Sequence, residues 1–280
     1  MDFVSAHQEV VVSIIIPTYN RVLLLDRAVQ SILAQSFPSW ELIIINDAST
    51  DGTVAFLDDL AKKDGRILPI HNKKNNYPDI SRNLNEGLAI ARGKYIARLD
   101  DDDYWSDDDK LKKQVDFLDL HTDHVIVGGG TIVVDNDDKE QFRYFKLEKD
   151  EDIRKRALFA NPFTHSTVMF RRDVARAVGG YGDFKNAEDW ELWLKMGVKG
   201  KFYNFQEYFV RYLMNAKSKT VIFKRSQSRE IFSILRAHRK EYPNFFFARL
   251  LNIGQYCFSL LPRILQRVLY SNLSRAKRSL

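Results

Sequence analysis

The sequence of 280 residues predicts an α/β protein with a mostly parallel central sheet, helices on both faces, and amphipathic helices at the C-terminal end. Three observations lead there. Over the first hundred residues, short continuous apolar runs alternate with helix-spaced segments, as in sheets covered on both faces. The loops that follow those runs are polar, as expected where ligands bind beyond the carboxyl ends of parallel strands. After residue 241, apolar side chains recur at three- and four-residue steps between arginines.

The elements follow in order. "VVVSIIIP" (10–17) is a β-branched run suited to a doubly buried strand. "VLLLDRAVQSILAQ" (22–35) has helical spacing through Leu25, Ala28, Val29, Ile32 and Leu33. "WELIIIND" (40–47) predicts a second strand and "TVAFLDDLAKK" (53–63) a second helix. "RILPIHN" (66–72) and "YIARLD" (95–100) read as strands around the helix "DISRNLNEGLAIARG" (79–93). Right-handed crossovers join such units. Beyond residue 124, "HVIVGGGTIVVD" and "QFRYFKL" predict strands, then a helix near 150–159 and a strand at "HSTVMFRR" (165–172). "NAEDWELWLKMG" (186–197) reads as a helix with Trp190, Trp193 and Leu194 on one face, and "KFYNFQEYFVRYL" (201–213) as two short strands. One continuous domain is expected to about 215, with a change of pattern near 105–124. A basic tail occupies 216–280.

Composition bounds the function. With 45% hydrophobic and 29% charged residues the chain is an ordinary folded one. One cysteine, Cys257, excludes an internal disulfide and fits a reducing, cytoplasmic setting. The N-terminal apolar run ends at Pro17 with no basic segment before it, which argues a strand rather than a leader. The dinucleotide fingerprint and the P-loop pattern are both absent, which demotes hydride transfer and P-loop phosphoryl transfer. The net charge of +6 is uneven. Residues 221–280 hold 12 Lys/Arg against two acids, and the preceding 220 hold 31 against 35.

The densest chemistry is "YIARLDDDDYW" (95–105), where a buried strand runs into Asp100, Asp101, Asp102 and Asp103. Adjacent carboxylates repel, so this placement needs a cation. Mg²⁺ or Mn²⁺, held by one or two carboxylates together with substrate phosphates, answers the need. Asp107 to Asp109 have a plainer explanation, capping the helix that "KLKKQVDFL" begins.

"VSIIIPTYNR", "IIINDASTDGT", "ISRNLNEGLAIARGKYIARLDDDDYW" and "NAEDWELWLKMG" together resemble family 2 glycosyltransferases, of the type found in bacterial polysaccharide and O-antigen biosynthesis. The resemblance covers about residues 11–213. It implies the GT-A fold, with a nucleotide-binding half to about 105 and an acceptor-binding half from about 106, and inverting transfer of a hexose from a UDP-sugar with Mg²⁺ or Mn²⁺. Matched residue by residue, it implies that Pro17, Thr18 and Tyr19 contact the nucleoside, Asp47 the uracil imide, and Arg82 the diphosphate. Asp100 and Asp102 match the metal-binding motif, with Asp102 the best direct ligand and Asp101 near the ribose or the metal. Asp189 matches the base that removes the acceptor hydroxyl proton, and Glu188 its neighbour on the acceptor. Trp105 could stack on a sugar and His165 line the acceptor site or touch the diphosphate, although each could equally be structural. The helix dipole is expected to keep Glu188 and Asp189 ionised. A nucleotidyltransferase with a related acidic site, or a non-catalytic glycan-binding relative, are the alternatives.

The tail adds a location. Its longest charge-free run, 250–262, has 13 residues, against the ~20 that a spanning helix needs. Phe246, Leu250, Ile253, Cys257, Leu261, Ile264 and Val268 form one stripe. It predicts a peripheral contact with the inner, cytoplasmic face of a membrane, and together with the family resemblance it implies a lipid-linked oligosaccharide acceptor on polyprenyl diphosphate. The same surface is compatible with packing on the catalytic domain or a homodimer. Nucleic acid is not expected as a partner, because the tail has no reading module.

Overall fold

A computed structural model describes residues 9–214 and 225–260. Its first half follows the expected alternation: β1 (Val12–Thr18), α1 (Val22–Leu33), β2 (Trp40–Asn46), α2 (Thr53–Lys63), β3 (Ile67–His71), α3 (Ile80–Ile90), β4 (Tyr95–Arg98) and β5 (Tyr104–Trp105). The second half contains α4 (Lys110–Leu120), β6 (His124–Val134), β7 (Glu140–Tyr144), α5 (Asp150–Arg156), a 3₁₀ turn (His165–Thr167) and β8 (Met169–Arg171). It continues with α6 (Arg172–Ala177), α7 (Glu188–Gly197), β9 (Lys201–Leu213), α8 (Arg225–Ala237) and α9 (Phe245–Leu260).

All strands join one sheet in the order β3-β2-β1-β4-β8-β6-β9-β5, with β7 paired to β6. The ladders β3-β2-β1-β4 are parallel, β4-β8-β6 antiparallel, and β6-β9 parallel. Every residue of β1 and β2 is buried, as strands covered on both faces must be. Side chains alternate between two cores. Ile14 and Ile16 face α1, α2 and α4 through Leu25, Leu57 and Leu111, while Ile15 faces α3 and α7 through Leu84 and Trp193. α8 and α9 extend this second core with Ile231, Ile234, Leu235, Tyr242 and Ala248.

Three local expectations are corrected. "KFYNFQEYFVRYL" is a single strand, kept continuous by register shifts against β6 that absorb its irregularities. "HSTVMFRR" begins as a 3₁₀ turn, and only Met169–Arg171 pair as strand. Leu33, at the end of α1, is exposed rather than part of the buried stripe.

Candidate active site

The polar loops after β1, β2 and β4 meet at one end of the sheet, because these three strands are adjacent and parallel. Asp47 is drawn to β1 by its N–H, which donates to the Thr18 carbonyl at 2.9 Å. Its buried carboxylate accepts from the Asn76 N–H at 2.9 and 3.1 Å. Around it lies a cavity of about 520 Å³ lined by Pro17, Thr18, Tyr19, Arg21 and Asp101, and closed by the 75–78 loop and α3. The local turn chemistry is carried by other side chains. Asn46 Oδ1 accepts from the Ser49 N–H, and Asp51 Oδ1 accepts from the Thr53 N–H and hydroxyl.

The four aspartates separate by environment. Asp100 is held by Arg98, whose Nη2 donates to Oδ1 at 2.6 Å. Burial opposes ionisation of Asp100, but Arg98 and Arg21 outweigh it and keep the carboxyl below its ordinary range. Asp101 accepts from the Thr18 hydroxyl and from Arg21 Nη1, each at 2.8 Å. Asp102 accepts from the same Arg21 nitrogen at 2.8 Å. Burial, then repulsion from Asp101, push Asp102 up to about 6, with Arg21 acting against them. Asp103 turns inward. It is fully buried, accepting from the Ser166 hydroxyl at 2.5 Å and the Leu213 N–H at 3.0 Å, so it ties the loop to β9. Burial raises it well above the usual carboxylate range.

Arg98 is itself buried, bonded through Nη1 to the Ile15 and Leu99 carbonyls and through Nε to His165 Nε2 at 3.1 Å. Because an arginine only donates, that imidazole nitrogen carries the lone pair. Burial and Arg98 lower His165 to about 3, so it is a neutral link rather than a cation for a diphosphate. The Tyr181 hydroxyl lies 3.2 Å from the same nitrogen. Beyond it, α7 opens with Glu188 and Asp189, both half-buried. Asp189 Oδ2 accepts from Asn161 Nδ2 at 2.6 Å and Oδ1 from the Trp190 N–H at 2.7 Å. Burial raises Asp189, and Asp100 is close enough to add to that push. This reverses the direction expected from the helix dipole alone.

Two expected residues stand elsewhere. Trp105 is 4% exposed, its Nε1 donates to the Ser166 carbonyl at 2.9 Å, and Lys110 Nζ sits over its ring. It is a core residue, buried in one cluster with Leu111, Val115 and Val210, so no sugar can stack on it. Arg82 does not line the Asp47 cavity. It faces an adjoining open cleft with Lys73 and Lys74, where its Nη1 donates to Asn76 Oδ1 at 3.3 Å. The site also contains residues to which the sequence reading gave no role: Arg21 and Arg98, inside the quoted motifs, and Asn161 and Tyr181, outside them.

Among the described residues no three His, Cys, Asp or Glu side chains form a ready-made metal cage. The donor set nevertheless fits Mg²⁺ or Mn²⁺, which take few protein carboxylates when phosphate oxygens complete the shell. Asp102 is the more accessible carboxylate of the pair on Arg21, its side chain 20% exposed, and that arginine places a positive charge against it.

A twisted sheet carrying a nucleoside-sized cavity, an acidic loop and an acidic helix start at its strand ends is the architecture of a GT-A transferase. Residues 13–179 match the family model "Glycosyl transferase family 2", and the chain belongs to that family. EpsE of Bacillus subtilis (strain 168), described as a glycosyltransferase, is 37% identical over 201 residues, spanning 70% of each chain. Two solved structures share the fold. TarS 1-349 of S. aureus in complex with UDP-GlcNAc superposes with a TM-score of 0.66 at 18% identity, covering 89% of this chain and 71% of that one. The mannosyltransferase PcManGT from Pyrobaculum calidifontis, in complex with GDP-Man and Mn²⁺, gives 0.62 at 16%, covering 95% and 80%.

Proposed function

We propose that this glycosyltransferase moves a hexose from a UDP-sugar to a glycan hydroxyl with inversion, aided by Mg²⁺ or Mn²⁺. The observation that carries the reading is the convergence of the Asp47 cavity, the Asp100–Asp102 loop and Asp189 at one end of the sheet. Pro17, Thr18 and Tyr19 wall the nucleoside, and Asp47, already an acceptor for N–H groups, suits the imide of uracil. Asp102 and Asp100 would hold the metal, which when bound neutralises charge on the departing diphosphate. Asp101, pinned by Thr18 and Arg21, borders the ribose side of the cavity.

Asp189 takes the proton from the acceptor hydroxyl as its oxygen attacks the anomeric carbon. The bond from that carbon to the phosphate oxygen breaks, and its electron pair leaves with UDP. A carboxylate raised by burial is a stronger base than a solvated one, which suits it to the task. Glu188 is placed to bind neighbouring acceptor hydroxyls, and His165, through Arg98, supports Asp100. The acceptor is a lipid-linked oligosaccharide at the cytoplasmic face of a membrane, in polysaccharide synthesis of the O-antigen or capsule type. No helix among the described residues is long and apolar enough to cross a bilayer, so peripheral contact is the mode proposed.

The test is binding of UDP, GDP, CMP and ADP, with and without Mn²⁺, to wild type and Asp102→Ala. UDP binding that requires both the metal and Asp102 supports the reading. Equal UDP binding without either would sink it.

A further inference from the structure

We propose that the cleft between α8 and α9 is a binding site for anionic lipid headgroups, with the exposed face of α9 seated in the bilayer beside it. The inference deepens the membrane placement above and rests on it, while the donor site is independent of both. The cleft has a volume of about 660 Å³ and is lined by Phe232, Leu235, Arg236, Arg239, Phe245 and Arg249. Three guanidinium groups therefore border one partly apolar hollow. Among the described residues none of the three forms an ion pair; Arg239 Nη1 donates only to the Arg236 carbonyl, at 2.8 Å.

The acids nearby do not serve them. Glu230 is occupied by the Asn186 N–H and amide, at 3.0 and 3.2 Å, and Glu241 forms no ion pair among the described residues. The flanking sequence cannot supply one, since 215–224 holds three lysines and 261–280 five Lys/Arg, with no Asp or Glu in either. The C-terminal region therefore offers these three exposed arginines no acid of its own, which leaves them open to an external anion.

An anion alone does not account for α9. Phe246 and Phe247 are 64% and 63% exposed, and Leu250, Ile253, Cys257 and Leu260 continue the line at helical spacing, all exposed. The opposite face, with Ala248 and Asn252, is buried. Arg249 borders the stripe and the cleft at once. An apolar stripe flanked by arginines that form no ion pair among the described residues matches an interface where rings enter the acyl boundary and guanidinium groups meet phosphates. Leu261, Ile264 and Val268, which would extend the stripe, lie outside the described residues.

The unit is joined to the catalytic helix at both ends. Glu230 grips Asn186 just before α7, and the Tyr242 hydroxyl donates to the Leu194 carbonyl at 2.8 Å. Docking through α8 and α9 thus fixes the height of Asp189 above the bilayer, which suits an acceptor tethered there by its lipid.

The experiment is vesicle flotation of the full chain with phosphatidylcholine alone or mixed with phosphatidylglycerol, at low and high salt. Wild type is expected to bind only the anionic vesicles, and less at high salt. The triple variant Arg236→Gln/Arg239→Gln/Arg249→Gln should lose about a hundredfold in affinity. Phe246→Ser/Phe247→Ser should lose about tenfold or more. Both should keep wild-type binding of UDP with Mn²⁺; if the triple variant does not fold, Arg239→Gln and Arg249→Gln alone give the same reading at smaller size. Unchanged vesicle binding by the arginine variants would overturn the proposal and leave attraction to 261–280. So would a wild type that ignores vesicles and forms a dimer broken by Phe246→Ser/Phe247→Ser. If wild type fails to bind UDP, the donor reading fails and the vesicle result still stands.

Discussion

Arg21 contacts Asp101 and Asp102 through a single nitrogen, so one positive charge balances two carboxylates of the proposed donor site. A divalent cation reaching Asp102 has to displace that charge, and a diphosphate offers the released guanidinium a new partner. In the proposed function, metal and nucleotide binding would be coupled by this exchange. Arg21→Met should tighten Mn²⁺ binding without nucleotide by about tenfold, the worth of a partly exposed pair discounted for screening. Calorimetry on nucleotide-free protein checks it, and an unchanged Mn²⁺ affinity would show that Arg21 is no competitor. At the proposed base, Asn161 stabilises the ionised form of Asp189 by donating to Oδ2. The acidic limb of kcat/KM should sit above the ordinary aspartate range, with activity lost as pH falls through it. Asn161→Ala removes a bond that lowers the Asp189 pKa, so the limb should move to higher pH; a limb that stays put would remove Asn161 from the positioning of the base. The motifs singled out Asp47, Asp102 and Asp189 as acidic side chains beyond strand ends or at a helix start, and the fold places them at one end of the sheet. Arg98 was signalled only as a charge inside an apolar strand, and nothing in the local pattern around Asn161 points to α7. Trp105 misled because an aromatic beside an acidic loop has the same local sequence whether it faces sugar or core.

Among the elements, β6 depends on its run of three glycines. A Cβ on Gly129 would lie 2.3 Å from the ring of buried Phe209, and one on Gly128 2.3 Å from Asn204 Oδ1. β6 and β9 approach so closely here that only hydrogen fits between strand and side chain. Gly129→Ala should cost about 1–3 kcal/mol by overpacking, seen as a Tm lower by about 2–4 °C per kcal/mol. A variant as stable as wild type would mean that Phe209 has room to move. The same pair explains what sequence could reveal of the sheet. β1 and β2 were legible because burial on both faces leaves an unbroken apolar run. β5, of two residues, and β8, of three, exist only through their partners β9, β4 and β6, so no local periodicity announces them. β9 looked like two strands because exposed Gln206 and Glu207 interrupt its pattern where the register against β6 shifts.

At the scale of the molecule, the sheet divides chemistry between its two lengths of chain. The parallel β3-β2-β1-β4 part carries the Asp47 cavity and acidic loop, and the part built on β6 and β9 brings Asn161 and α7 to face them. The basic C-terminal region, legible as a charge asymmetry, contributes apolar side chains to the core beneath α7 as well as an outward arginine cleft. Glu230 is where these roles meet. Its carboxylate holds Asn186 three residues before Asp189, and α8 is otherwise anchored by apolar contacts of Ile231, Ile234 and Leu235. Glu230→Ala leaves those contacts intact and frees the chain leading into α7, at a cost of about 1.5–3 kcal/mol for a charged hydrogen-bonded acceptor. Backbone amide exchange should rise at 186–190 while exchange in β1 and β2 stays slow, and turnover should fall with UDP affinity unchanged. Glu230→Gln, which retains one accepting oxygen, should recover part of both. Unaltered exchange at 186–190 in Glu230→Ala would mean that α7 is positioned by its own core residues, Trp190 and Trp193, and that the C-terminal unit carries no information to the base.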